Sequence, residues 1–152
     1  MRPRVPAAHE PIATRAKNYA MCVHAWLVET PAIVEGARDA YDVVVWFHFM
    51  IAAKINRALT VWPGDEDDGA AFDSNGSAKV ALLAIERSHA AWLDLVQRKA
   101  ASDAHAARFI ADLVYLGESL ENARPKARAF VRPAFDEPEA VAEFLAQMRQ
   151  QP

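Results

Sequence analysis

The stretch YDVVVWFHFMIAAKINRALTVW, residues 41–62, decides the fold. Its core-facing side chains recur at spacings of three and four along one seam, which comprises Tyr41, Val44, His48, Ile51, Ile55 and Trp62. This is the period of an α-helix with one buried face, whereas a half-buried strand would alternate every second residue. The pattern therefore predicts a helix over about 39–61.

The same period fills most of the remaining chain, in which glycine is scarce at five residues. Further helices are predicted over about 12–35, 77–100 and 103–123, the last two capped by Ser77 and Asp103, followed by a short helix over about 137–149. The seam of the first comprises Ile12, Ala16, Tyr19, Val23, Trp26, Thr30 and Ile33, and that of the helix over 103–123 comprises Ala106, Phe109, Leu113, Leu116 and Leu120. Helices of similar length with short or moderate connections favour antiparallel neighbours. We expect an all-α, up-down-up-down four-helix bundle in a single domain, 1–152, with a core of about 12–124 and a C-terminal appendage, 125–152.

Pro31 lies inside the first predicted helix and leaves two interpretations open. It can kink this helix, with Gly36 as the C-terminal stop and Asp39 as the cap of the next helix. Alternatively, Thr30 caps a new helix that begins at Pro31. We predict the kink, because Gly36 and Asp39 are both well suited to their places.

Composition excludes several classes of protein. A net charge of −3 lacks the basic excess with which a nucleic-acid-binding protein neutralises phosphates, so nucleic-acid binding is not expected. Cys22 is the single cysteine, so the chain forms no internal disulfide, and a reduced thiol in a cytoplasmic protein is the simplest interpretation. The longest apolar stretch, 43–53, is shorter than the roughly 20 residues of a membrane span.

The second predicted helix is more apolar than one seam requires. Val43, Trp46 and Met50 lie on the face opposite His48. An apolar face of this size is usually buried against another part of the protein or against a partner. We expect either a homodimer through this helix or a cover formed by the segment 125–152.

His48 and His89 are the first candidates for chemistry. His48 lies about 14 residues before the end of its predicted helix and His89 about 13 residues after the start of the next, so each is roughly 20 Å from the connecting loop. They are predicted to meet in the core. Glu86 shares the edge of the same face, and His24 reaches a similar level if the first helix ends at Gly36.

His24, His48, Glu86 and His89 would together suit a transition metal such as Zn or Fe. The alternative is a pair of core histidines that hydrogen bonds satisfy. A di-iron carboxylate centre requires a second Glu-x-x-His motif, and Val45 occupies the position where its glutamate would stand. The sequence therefore predicts at most a mononuclear site.

Arg98 and His105, separated by six residues near the start of the fourth predicted helix, resemble the arginine–spacer–histidine motif of HEPN-type helical ribonucleases. The resemblance implies RNA cleavage with these two side chains as catalytic residues. Lys99 departs from the polar residue that often follows the arginine of that family. The alternative is a solvated turn between two helices.

The stretch GSAKVALLAIERS, residues 76–88, resembles small bacterial helical-bundle proteins that have no assigned activity. The resemblance implies a helical bundle in a bacterial cytoplasm and carries no reaction. We expect a dimeric binding or interaction module, with a metal-binding bundle and a HEPN-like ribonuclease as the alternatives.

Overall fold

The computed structural model describes residues 2–30, 32–61 and 72–129 together with Ala142 and Ala146, with the backbone alone at Phe72 and Asp73. The described residues form four α-helices: α1 Glu10–Glu29, α2 Arg38–Leu59, α3 Phe72–Gln97 and α4 Asp103–Ala123. Each helix packs against the next in the chain, and α1 also packs against α4. The predicted all-α four-helix bundle is confirmed.

Contacts between the helices show their antiparallel order. Trp26 near the end of α1 contacts Tyr41 near the start of α2. Trp92 in the last third of α3 contacts Phe109 in the first third of α4. Before α1, Arg4 pairs its backbone with Val61, just beyond the end of α2.

The core follows the helical period. The buried residues of α4 are the five predicted for its seam: Ala106, Phe109, Leu113, Leu116 and Leu120. In α1, Ile12, Ala16, Tyr19 and Val23 are buried as predicted. Each large apolar side chain buried in this way stabilises the fold by about 1.5–3 kcal/mol.

The predicted kink at Pro31 is wrong. Helix α1 ends at Glu29, and Thr30 has extended backbone angles of φ −77° and ψ 110°. A proline disfavours helical angles at the preceding residue, and the Thr30 hydroxyl donates to the Trp26 carbonyl that the helix end leaves free. Gly36, at φ +83°, therefore belongs to the connection between α1 and α2 and not to a helix end.

The predicted helix starts also shift. Helix α3 begins at Phe72, so Ser77 lies inside it instead of capping it. Helix α4 is capped by Ser102, whose hydroxyl accepts from the backbone N–H of His105, and Asp103 is the first helical residue. Of the predicted helix over 137–149, Ala142 and Ala146 are described and helical, and the remainder of that prediction lies outside the described residues.

Two arginines in the segment after α4 bind this segment to the helices. Arg124 is buried and donates to the carbonyls of Ala58, in the last turn of α2, and Ala123. Arg128 forms ion pairs with Glu86 of α3, at 2.6 Å, and with Glu121 of α4, at 2.5 Å. These contacts join the ends of α2 and α4 and the middle of α3. No helix in the described ranges has both the length and the apolarity to cross a membrane.

Candidate functional site: the α1–α2 histidine pair

Helices α1 and α2 bring His24 and His48 together. The two imidazole rings are nearly parallel, with an interplanar angle of 13° and a distance of 5.9 Å between their centroids. The ring of Phe49 lies beside both, 5.4 Å from that of His24 and 4.2 Å from that of His48. His24 is exposed, whereas His48 is only 5% exposed. The pair therefore joins an exposed imidazole to a buried one.

The hydrogen bonds of His48 determine its tautomer. Nδ1 lies 2.6 Å from the Val45 carbonyl oxygen, which only accepts, so Nδ1 carries the proton and donates it. Nε2 is then the ring atom with a free lone pair, and it is buried with no hydrogen-bond partner. A buried acceptor left in this state costs about 1–3 kcal/mol.

Burial also keeps His48 neutral. It is the largest influence on the pKa of His48 and lowers it, because a charged imidazolium loses its hydration inside the protein. The carbonyls of Val45 and Val44 raise the pKa, and the neighbouring His24 lowers it further, with a net shift downward. His48 thus presents an unprotonated nitrogen at neutral pH.

His89 does not share this site. His89 is half-exposed and has no ring contact or hydrogen bond within the described residues. His48 lies 11 residues before the end of α2, about 17 Å along the axis, but His89 lies 17 residues after the start of α3, about 26 Å. The two histidines are therefore not matched in their distance from the helix ends, and no ring contact or hydrogen bond joins them within the described residues.

Glu86 has a different partner from the predicted one. Its carboxylate binds the Arg128 guanidinium at 2.6 Å and is about half exposed. Within the described ranges, no three side chains of His, Cys, Asp or Glu are grouped so that they could hold a metal ion. The predicted set of His24, His48, Glu86 and His89 is therefore reduced to its first two members in a single chain.

Arg98 and His105 point to different partners. The Nε of Arg98 donates to both carboxylate oxygens of Asp94 at 3.1 Å, and its Nη1 lies where a Cβ on Gly36 would be only 2.8 Å away. His105 makes a 2.9 Å hydrogen bond with the Ser102 hydroxyl. No hydrogen bond or ion pair within the described residues joins Arg98 to His105, so the ribonuclease interpretation remains a prediction from the sequence.

The centre of the bundle contains one aromatic polar contact. Trp92 Nε1 donates to the Tyr19 hydroxyl at 3.1 Å, and neither side chain is exposed. Burial raises the pKa of Tyr19 by more than the neighbouring Trp92 and Ser88 lower it. The phenol is therefore neutral and structural.

Sequence reasoning missed an exposed apolar surface around the histidine pair. Met21, His24 and Val28 are spaced by three and four residues along α1, so they share one face, and Phe49 adjoins His24 from α2. The exposed fractions are 56% for Met21, 73% for Val28 and 53% for Phe49. We call these four residues the α1–α2 face. Its signal was the second apolar stripe on α1, opposite the predicted seam.

Neither a protein-family model, nor a curated protein, nor a solved structure matches this chain.

Proposed function

We propose that this protein is a non-catalytic interaction module that forms a homodimer through the α1–α2 face. The observation that carries the proposal is the exposure of Met21, Val28 and Phe49 on two adjacent helices. Ile33 and Val34, exposed in the connection that follows α1, add to the apolar surface. Contiguous exposed apolar surface marks an interaction site in a folded protein.

The charges around this face favour a second copy as the partner. At one end, where α1 begins and α2 ends, the basic Lys17 and Lys54 outnumber the acidic Glu10. At the other end, the exposed acidic Glu29 and Glu35 outnumber the basic Arg38, which already forms an ion pair with the buried Asp42. A two-fold axis between these ends places the basic end of one copy against the acidic end of the other. The face is thus complementary to itself, as a two-fold dimer requires.

The residues predicted for the dimer fit this role less well. Val43, Trp46 and Met50 are half-buried and pack against the core of their own chain. Phe49 of the same helix is more exposed and adjoins α1. The proposed interface therefore includes Phe49 of α2 together with residues of α1, and not Val43, Trp46 and Met50.

Sedimentation equilibrium of the full chain and of Phe49→Lys tests the dimer. Complete burial of a phenylalanine stabilises by about 1.5–3 kcal/mol, so the exposed half in two copies contributes about 1.5–3 kcal/mol. We expect the dissociation constant of the dimer to rise roughly 10- to 140-fold. Leu93→Lys is the matched control, because Leu93 is 55% exposed on α3, away from this face.

Charge reversal tests the orientation. Lys17→Glu should weaken the dimer, and adding Glu29→Lys in the same chain should recover part of the loss, because each altered residue then faces an opposite charge on the other copy. A monomeric wild-type protein at high micromolar concentration would overturn the proposal. So would equal weakening by Leu93→Lys and Phe49→Lys.

A further inference from the structure

We propose that His24 and His48 form half of a transition-metal site, which the same two histidines of a second copy complete across the dimer axis. This inference rests on the proposed dimer. In this site the free nitrogen of His48 binds the metal ion. The ion is a divalent transition metal that favours imidazole ligands, and zinc is a representative example.

His48 already has the hydrogen-bond arrangement of a metal ligand. A histidine that binds a metal through one ring nitrogen usually donates the other N–H to a carboxylate or a backbone carbonyl. His48 does so from Nδ1 to the Val45 carbonyl, at 2.6 Å. This contact orients the ring and leaves the lone pair on Nε2, which is buried and has no hydrogen-bond partner.

The distance to His24 suits a shared ion. Zinc–nitrogen bonds are about 2.0–2.1 Å, so two imidazoles on one tetrahedral zinc have ring centroids about 5 Å apart. The observed separation is 5.9 Å. The rings are stacked and an imidazole binds a metal in its own plane, so His24 must turn as well as approach. His24 is exposed and has no hydrogen bond within the described residues, so rotation of its side chain is free to aim its lone pair at the ion and to close the difference of about 1 Å. His48 stays in place.

The dimer supplies the ligands that one chain lacks. No third histidine, cysteine or carboxylate joins this pair within the described ranges. In the proposed dimer, His24 lies near the middle of the α1 part of the interface, three residues after Met21 and four before Val28. Residues close to a two-fold axis meet their own copies. Four imidazoles then surround one ion, which is the coordination number of a closed zinc site.

The experiment measures dimerisation of the untagged full chain by sedimentation equilibrium, with zinc chloride and with EDTA, alongside the zinc content of the dimer. A ligand that binds only the dimer tightens it by a factor of one plus the ratio of its free concentration to its dissociation constant. With zinc at tenfold that constant, we expect the dimer to tighten about elevenfold. We expect one zinc per two chains.

His24→Ala is the decisive variant, because His24 is exposed and its loss leaves the core intact. It should abolish the zinc effect and retain the zinc-free dimer. His48→Gln should do the same, with circular dichroism to confirm that it folds. His89→Ala and His105→Ala are the matched controls and should keep the full response.

The outcomes separate this inference from the dimer on which it rests. A dimer that is equally strong with zinc and with EDTA would overturn the metal site and leave the proposed function standing. Zinc binding that survives His24→Ala would also overturn it. A monomer under both conditions would overturn both proposals.

Discussion

Tyr19→Phe removes one oxygen from the centre of the bundle and leaves the rest of the side chain in place. The Tyr19 hydroxyl accepts from Trp92 Nε1 at 3.1 Å, and both side chains are fully buried. The indole N–H donates and never accepts, so it needs an acceptor nearby. The substitution leaves this donor without the partner that it has in the native protein.

The expected cost follows from the burial of both groups. A buried donor that loses its partner costs about 1–3 kcal/mol in the free energy of unfolding. In a domain of this size each kcal/mol lowers the melting temperature by about 2–4 °C, so we expect a decrease of about 2–12 °C. Because the aromatic ring stays in the core, the decrease in the free energy of unfolding measures the lost hydrogen bond and not a change in packing.

Urea denaturation of the two single variants, Tyr19→Phe and Trp92→Phe, and of their double variant measures this contact. The coupling energy between the two positions should be about 0.5–3 kcal/mol if they interact directly. Tyr41→Phe is the matched control, because the Tyr41 hydroxyl makes no hydrogen bond within the described residues, and its effect should stay within about 0.5 kcal/mol. A coupling energy near zero, or a Tyr19→Phe protein as stable as the control, would refute the reasoning.

Three further substitutions test other parts of the structure. The folded-state pKa of His48 is lowered, so its contribution to stability is complete above the unfolded value near 6.5 and is lost as the pH falls through the folded-state value. The free energy of unfolding should therefore fall on the acid side by at most about 1.4 kcal/mol per pH unit because of this proton, and His48→Gln should reduce that slope when urea denaturation is repeated across pH. Gly36→Ala should lose about 1–2 kcal/mol by the same assay, because the φ of +83° disfavours a side chain, and Arg98→Ala should recover little of it because the end of that arginine can move. Arg124→Met should lose about 1.5–3 kcal/mol, because two backbone carbonyls lose a charged donor, and a melting temperature equal to that of the wild type would contradict this.

The four-helix architecture was predictable because periodicity is a property of the whole helix. Five residues on one stripe of α4 were predicted to be buried, and the structure buries the same five. An error of one or two residues at either end does not change which stripe faces the core.

The ends of the helices were less predictable, because several local signals competed there. Gly36 and Asp39 suggested a helix end and a cap, but the effect of Pro31 on Thr30 ended α1 earlier. Ser77 is a good cap residue, yet Ser74 to Lys79 are all buried inside α3. Packing of this turn outweighs the cost of about 1 kcal/mol for Gly76 in a helix.

The candidate site depended on those ends. His48 was identified correctly as a seam residue, and it is buried. Its partner was assigned by counting residues from the predicted helix ends, and the five-residue shift in the start of α3 removed the basis of that count. His24 reaches His48 even though α1 ends at Glu29, because His24 lies more than one turn before that end and His48 lies in the middle of α2.

The side chains of Trp92 and Arg124 have hydrogen-bond partners within the chain, whereas one ring nitrogen of His48, beside the α1–α2 face, has none among the described residues. At the centre, the Trp92 indole donates a hydrogen bond to the Tyr19 hydroxyl, and at the end of the bundle the Arg124 guanidinium donates to two backbone carbonyls. Both sets of hydrogen bonds lie within one chain. His48 is fixed by its Nδ1 contact but keeps a buried, unpartnered Nε2 beside an exposed imidazole and an exposed apolar ring. Association of two copies would bury the exposed apolar face and, through the proposed metal ion, give the free nitrogen of His48 a partner. For this reason we propose that the protein functions through the outer face of α1 and α2 and not through the inside of the bundle.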